Sequence, residues 1–230
     1  MKKTKIFKNG KFSLFFDYRD DALSVSELSL IFKELNCTTK ALNSFFDSAT
    51  ISSLANINNS KDSLSLNLRG DAGINVDLVP KKVINTTYSY LKKKFKATED
   101  IELNIFLCGK KKITNLNNTY LKKNKPTDVL SFPLHNFFDG DENDFCPFIL
   151  FSLGDIFICK EVAKKMAKIN KVKFNEEFRL LLIHGILHLL GFDHEHHHKH
   201  VTKESANLMF YMEALLFYKV TKRVRGVRKV

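Results

Sequence analysis

Arginine, acidic residues and cysteine are all scarce in this chain of 230 residues. Only six arginines (Arg19, Arg69, Arg179, Arg223, Arg225, Arg228) stand among 37 basic residues, against 25 acids. The formal net charge is +12 and is carried mostly by lysine. An acidic solvating protein is excluded. The excess suits a polyanion such as RNA, DNA or an anionic membrane surface, or simply reflects an AT-rich genome. The four cysteines, Cys37, Cys108, Cys146 and Cys159, form no CxxC pair and no dense framework. That pattern points to buried thiols in a reducing compartment, the cytoplasm by default. No run of about 18 apolar residues occurs, so no transmembrane helix is expected. The longest candidates, Phe178–Leu190 and Leu208–Val220, are broken by Arg179, His184, His188 and Glu213. The basic start offers only Phe12–Phe16 as an apolar core, too short for a secretory signal. An organellar transit peptide is the alternative, with the early acids Asp17, Asp20 and Asp21 against it. What is present, 44% hydrophobic and 27% charged residues, is the composition of a folded chain. Its length suits one generous domain, or one domain with an appendage.

Residues 1–72 read as an N-terminal extension that carries no chemical motif, either an embellishment of the main domain or a loosely ordered appendage. Lys11–Phe16 suits a short strand. Leu28, Ile31, Phe32 and Leu35 recur at helical spacing behind Ser24 and Ser26. Thr38–Ser63 is rich in Ser and Asn and weakly periodic, and Leu64, Leu66 and Leu68 alternate as in a half-exposed strand. From about Gly73 the pattern strengthens. Ile74, Val76 and Leu78 alternate, and Pro80 opens a helix with Val83, Ile84, Tyr88 and Leu91 as its stripe. Ile101, Leu103, Ile105 and Leu107 form a second alternating strand. Lys110–Tyr120 reads as a helix, Lys122–Thr127 as a loop, Val129–Phe132 as a strand ended by Pro133, and Asp139–Asp144 as an acidic loop. Apolar runs Phe148–Leu153 and Ile156–Cys159 flank Gly154, and Lys160–Ile169 is helical. Glu176–Leu190 is the strongest helix, with Asn175 suited to cap it and Gly191 to end it. Thr202–Val220 is a last amphipathic helix. Helices interspersed with strands give an α+β or α/β class. The tail from Lys219 to Val230 has six basic residues and no acid. It reads either as a phosphate-binding arm or as a solvated terminus.

Seven of the eight histidines lie between His184 and His200. His184 and His188, four apart on a predicted helix, stack on one face with Cβ atoms about 5–6 Å apart. Gly191 lets the chain double back, so His194 can supply a third nitrogen. Three His ligands leave a fourth position open, the arrangement of a catalytic rather than a structural zinc site. Two histidines on so apolar a helix need hydrogen-bonding partners or a metal. His196, His197, His198 and His200 sit in a polar run and read as a solvated loop. The spacing of His184, His188 and His194 is also that of the zinc-protease signature HExxHxxGxxH. There, however, the residue after the first His is the glutamate general base, and here it is Gly185. A metallopeptidase is therefore the least favoured reading.

The run His184-Gly185-Ile186-Leu187-His188-Leu189-Leu190-Gly191-Phe192-Asp193-His194 resembles the signature H-G-x-L-H-L-x-G-[FY]-D-H of the YbeY family, metal-dependent endoribonucleases of ribosomal RNA maturation. Leu116-Asn117-Asn118-Thr119-Tyr120 followed by Lys125-Pro126-Thr127-Asp128-Val129-Leu130-Ser131-Phe132-Pro133 resembles that family's LNxxYR…KPTDVLSFP. Leu153-Gly154-Asp155-Ile156 resembles its LGDI element. The likeness spans roughly Gly73 to Tyr218, within a domain drawn at 73–220, and leaves 221–230 as a basic tail.

The resemblance implies an α+β fold, a small mixed sheet flanked by helices around a central metal-binding helix. It implies one zinc ion per chain on His184, His188 and His194. It implies cleavage of single-stranded RNA in rRNA maturation and ribosome quality control, with a ribosomal subunit or assembly factors as partners and no membrane. Lys122, Lys123 and Asp193 are the candidate catalytic residues; Lys125, Thr127 and Ser131 are candidates for binding RNA. Asp128 and Asp155 are either partners of a ligand imidazole or loop caps, and Asp193 either orients His194 or ends the turn. One departure matters. Leu121 stands where the family's block has Arg, and leucine cannot donate to phosphate; Lys122 or Lys123 could substitute only as a point charge. That departure keeps a second reading open, a zinc-stabilised assembly factor that binds RNA without cutting it.

Overall fold

The computed structural model describes residues 4–18, 23–45, 100–135, 150–193, 209–217 and 220–221. Alternation of apolar and polar residues builds the centre of the sheet. In β3 (Asp100–Cys108), Ile101, Leu103, Ile105 and Leu107 are buried while the residues between them are half-exposed. β2 (Phe12–Asp17) runs parallel to one edge of β3, and β5 (Leu150–Cys159) parallel to the other. β1 (Thr4–Asn9) pairs antiparallel with β2, and β4 (Val129–Pro133) antiparallel with β5. The result is a mixed five-stranded sheet in the order β1-β2-β3-β5-β4, an α+β architecture.

The apolar runs either side of Gly154 form one strand rather than two. β5 passes straight through this glycine, which has φ +128. The register slips there, so that Leu103 faces both Leu153 and Gly154 in a β-bulge.

Four helices are described in full: α1 (Val25–Phe45), α2 (Lys110–Leu121), α3 (Lys160–Ile169) and α4 (Phe174–Leu189). Residues 209–217 and 220–221 are also helical. α1 starts with a capping box. The Glu27 N–H donates to Ser24 Oγ (3.2 Å), and Ser24 N–H donates to Glu27 Oε2 (2.8 Å). The helix runs well past its Leu28–Leu35 stripe into the Ser- and Asn-rich stretch, which is a correction to the sequence reading of Thr38 onwards. Thr39 Oγ1 donates to the Leu35 carbonyl (2.7 Å) and Ser44 Oγ to the Ala41 carbonyl (3.2 Å), so these two hydroxyls are satisfied within the helix. Ala41 and Leu42 continue the buried stripe.

Residues 4–18 and 23–45 are thus built into the sheet and the main core. That core joins Phe12, Leu14 and Phe16 of β2 and Ile31 and Leu35 of α1 to the apolar side chains of β3, β5 and α4. A smaller cluster of Cys108, Ile113, Leu130 and Cys159 lies under α2. Burial raises the pKa of the Cys159 thiol above its ordinary value, and Cys37 and Cys108 are buried free thiols as well. The expected strands at Leu64–Leu68 and Ile74–Leu78, the helix from Pro80, the loop at Asp139–Asp144 and the basic tail from Lys222 onwards lie outside the described residues.

α4 is the most enclosed element, with 12 of its 16 residues buried, so its polar groups need partners inside the protein. Arg179 finds one on α1. Its Nε donates to Glu34 Oε2 and its Nη2 to Glu34 Oε1, both at 2.7 Å, a bidentate pair. Nη1 donates to Thr221 Oγ1 (2.7 Å), and the guanidinium lies 5.2 Å from the Phe217 ring centroid. Asn175 Nδ2 donates to the same Glu34 carboxylate (2.9 Å). Asn175 therefore does not cap the helix. The N-cap is Lys173, whose N–H donates to Glu176 at the third helical position (3.1 Å). Lysine has no side-chain acceptor to return that bond.

Removing either partner of the Glu34–Arg179 pair leaves an uncompensated buried charge, which costs about 3–5 kcal/mol. Glu34→Leu and Arg179→Met should each lower the urea midpoint sharply. The double variant should be less destabilised than the two losses added together. Additive losses in equilibrium denaturation would show that the pair does not couple α1 to α4.

Candidate metal centre and its approach

The last two turns of α4 carry the two described histidines of the sequence motif. Gly191, at φ +85, closes the helix. Its N–H donates to the His188 carbonyl and the Phe192 N–H to the Leu187 carbonyl, both at 3.0 Å, which is a Schellman motif. Glycine is required there because other residues adopt positive φ at a cost. The expectation that Gly191 ends the helix is met. The chain then turns away through the half-buried Asp193; His194 lies outside the described residues.

His184 and His188 meet on one face. Their Nε2 atoms are 3.1 Å apart and their rings cross at 83° with centroids 4.6 Å apart. His184 is buried, and its Nδ1 lies 3.0 Å from Glu213 Oε1 on the C-terminal helical segment. Glu213 is itself buried. With the Nδ1 proton donated to that carboxylate, the His184 Nε2 lone pair points toward His188. Two nitrogens held at about 2.0–2.1 Å from one tetrahedral zinc lie about 3.3–3.4 Å apart, close to the separation seen. The donor set therefore fits such an ion: two convergent imidazole nitrogens, one with a carboxylate behind it. Among the described residues no group of three ligating side chains is complete.

Glu213 is the partner of His184 that the sequence reading passed over. It was read only as an interruption in an apolar run. The available signal was an acid on the otherwise apolar stretch Met209–Leu216, where burial demands a partner.

Gly185 explains how α4 lies against the sheet. A Cβ there would meet Ile156 Cγ2 at 2.9 Å and Ser131 Oγ at 3.1 Å. The helix backbone thus rests directly on β5 and β4. Ser131 Oγ is buried against it, with no hydrogen-bond partner among the described residues. The general base of a zinc protease would have no room at this position.

The other predicted residues gather around the turn that leads from α2 to β4. Lys122, Lys123 and Lys125 are exposed. Lys122 has φ 58, and its Nζ donates to the Thr119 carbonyl (3.0 Å), so it caps α2 with its own ammonium group. Leu121 beside it is exposed. Asn117, buried in α2, secures the turn by donating to the Lys125 carbonyl (2.7 Å). Asp128 accepts from Thr127 Oγ1 (3.1 Å) and from Val129 N–H (2.9 Å), and so organises the start of β4. Asp155 accepts from Asn104 Nδ2 (2.9 Å). Its neighbour Ile156 faces Gly185, so alternation along β5 puts Asp155 on the opposite face of the sheet. Asp128 thus makes the contacts of a loop cap, and Asp155 those of a cross-strand side-chain pair.

Two variants test this arrangement. Glu213→Gln keeps the shape of the side chain but removes the charge behind His184. It should weaken zinc affinity about 10- to 100-fold in a competition titration against a chelating dye; an unchanged affinity would remove Glu213 from the site. Gly185→Ala gains about 1 kcal/mol of helix propensity but overpacks the contact with Ile156 at a cost of about 1–3 kcal/mol. Its melting temperature should fall, and a rise would mean that α4 does not sit this close to β5.

Comparison with known proteins places these features in a family. A family model described as Endoribonuclease YbeY matches residues 70–219. A protein of that name from Aquifex aeolicus is 41% identical over 96 residues, covering 42% of this chain and 58% of the relative. One from Staphylococcus epidermidis is 42% identical over 112 residues, covering 48% of this chain and 71% of the relative. One from Legionella pneumophila is 41% identical over 119 residues, covering 51% of this chain and 67% of the relative. The matched stretch is thus little more than half the length of the Aquifex protein. The described residues 4–18 and 23–45 precede the region that the family model matches.

Proposed function

The chain belongs to the Endoribonuclease YbeY family, and from that premise we propose that it cleaves single-stranded RNA in ribosomal RNA maturation, using one zinc ion held by His184, His188 and His194. The observation that carries the reading is the His184–His188 pair with Glu213 behind it. A zinc ion there supplies Lewis acidity and a hydroxide nucleophile at neutral pH.

The protein's own residues do the rest. Glu213 holds the Nδ1 proton of His184, which fixes the tautomer and keeps Nε2 available as a ligand. Burial pushes the pKa of the nearby Tyr211 phenol up, so that residue stays neutral at physiological pH. Lys123 and Lys125, exposed on the turn before β4, bind the RNA phosphates, and Lys122 adds charge from the end of α2. Thr127 lines the same turn, and Asp193 directly precedes the third ligand in the chain. The precursors of a ribosomal subunit, with their assembly factors, are the setting for such cleavage, and RNA surveillance in ribosome quality control uses the same activity. The buried free thiols Cys37, Cys108 and Cys159 suit a reducing cytoplasm.

Exposed Leu121 favours a second reading, a zinc-stabilised RNA-binding factor that does not cut. Incubating the purified protein with a single-stranded rRNA fragment separates the two, with His188→Ala as the contamination control. The wild type should cleave, lose activity to a chelator and regain it with zinc. It should carry about one metal per chain by elemental analysis. Cleavage and stoichiometric zinc both surviving in His188→Ala would overturn the site. A wild type that binds zinc and RNA without cutting would establish the second reading.

A further inference from the structure

The face of the sheet under α2 carries a row of aromatic rings that the metal chemistry does not use. Phe106 of β3 stacks on Phe157 of β5 with centroids 4.7 Å apart and an interplanar angle of 15°. Phe157 meets Phe132 of β4 edge-on at 5.7 Å, and Phe132 meets Tyr120 of α2 at 4.8 Å. The first three rings are half-buried. The row surfaces at Tyr120, which is 61% exposed and followed by Leu121 at 52%.

Buried apolar side chains account for most aromatic rows. This one ends in the open and inside a strongly basic stretch of the chain. Residues 110–126 contain six lysines (Lys110, Lys111, Lys112, Lys122, Lys123, Lys125) and no acid, half of the net charge of +12. All six are exposed. They lie at the two ends of α2, a 12-residue helix about 18 Å long. Lys112 already sits over the inner rings, with its Nζ 5.0 Å from the Phe157 centroid and 5.5 Å from that of Phe106. An exposed ring already held edge-on by a second ring has little orientational freedom left to lose on binding. Flanking ammonium groups suit a chain of phosphates. An aromatic face among lysines is the arrangement by which proteins hold single strands irrespective of sequence.

We propose that Tyr120, braced by Phe132, is a stacking platform for a base of single-stranded RNA, with the lysines at both ends of α2 holding the phosphates on either side. The inference rests on the endoribonuclease reading and deepens it. It gives the substrate a binding surface on the α2 side of β4, while the histidine helix lies on the other side. It also gives Leu121 a role, as apolar surface flanking the stacked base in place of a guanidinium.

The test is binding in chelator, so that cleavage does not interfere. Fluorescence anisotropy with a uridine 12-mer is compared with an abasic strand of the same length. Tyr120→Ala should weaken binding of the 12-mer about 5- to 150-fold and leave the abasic strand unaffected. Tyr120→Phe should retain the wild-type affinity. Lys111→Gln with Lys112→Gln should instead weaken both strands and flatten the salt dependence. Circular dichroism checks that the variants fold. Unchanged 12-mer binding by Tyr120→Ala, or an equal loss on both strands, overturns the stacking role while leaving the cleavage assay to stand by itself. A wild type that binds anionic vesicles but neither strand overturns both the platform and the endoribonuclease reading.

Discussion

A helix buried on nearly every side can hold a charged or polar residue only if another element brings a partner to it. α4 is such a helix, and three of its polar residues dictate what surrounds it. Arg179 requires the Glu34 carboxylate from α1, Asn175 shares it, and His184 requires Glu213 from the C-terminal helical segment. The elements before and after α4 are fastened to it by these contacts more specifically than apolar packing could manage. Hydrophobic burial is non-directional, whereas a bidentate ion pair fixes both the rotation and the translation of the helices it joins.

The opposite side of α4 is governed by closeness of approach. At Gly185 the backbone lies against Ile156 and Ser131, so the helix sits low on β5 and β4. That places the imidazole of His184 one position before the contact and His188 three after it, on the flank of the sheet's edge strand. β4 has α4 on one side and the aromatic row and α2 on the other. A single strand therefore links the histidine pair to the lysine-rich turn, although the two sets of residues lie on different elements. A metal-dependent nuclease needs that combination, an ion to activate the attacking group and a separate surface to hold the polymer.

Much of this could be read from the chain. Strict alternation announced β3, the limits of α3 matched the sequence reading from Lys160 to Ile169, and HxxxH followed by glycine announced both the facing histidine pair and the end of its helix. β1 was missed because it is an edge strand with one buried residue, Phe7, and two lysines, so it has almost no alternating apolar pattern. Its signal was the turn that follows. Gly10, at φ +55, opens a two-residue loop between Asn9 and Phe12. The end of α1 was missed because Thr and Ser weaken helical periodicity, and only the carbonyls of the preceding turn show how their hydroxyls are satisfied. Asn175 was misread as a cap because a local rule assigned it to the nearest helix start, while a buried carboxylate 141 residues away claimed its side chain.

By itself the sequence determined the class of chemistry. Histidines at i and i+4 with a glycine stop depend on helix geometry alone, and the family's motif blocks lie in order along one chain. The tertiary structure decided which distant side chains meet. Glu213 is 29 residues from His184, Glu34 is 145 from Arg179, and Tyr120 is 12 from Phe132. No periodicity relates such positions. Their pairing follows from the burial of α4 and the order of the strands, and both are properties of the folded sheet rather than of any local stretch of chain.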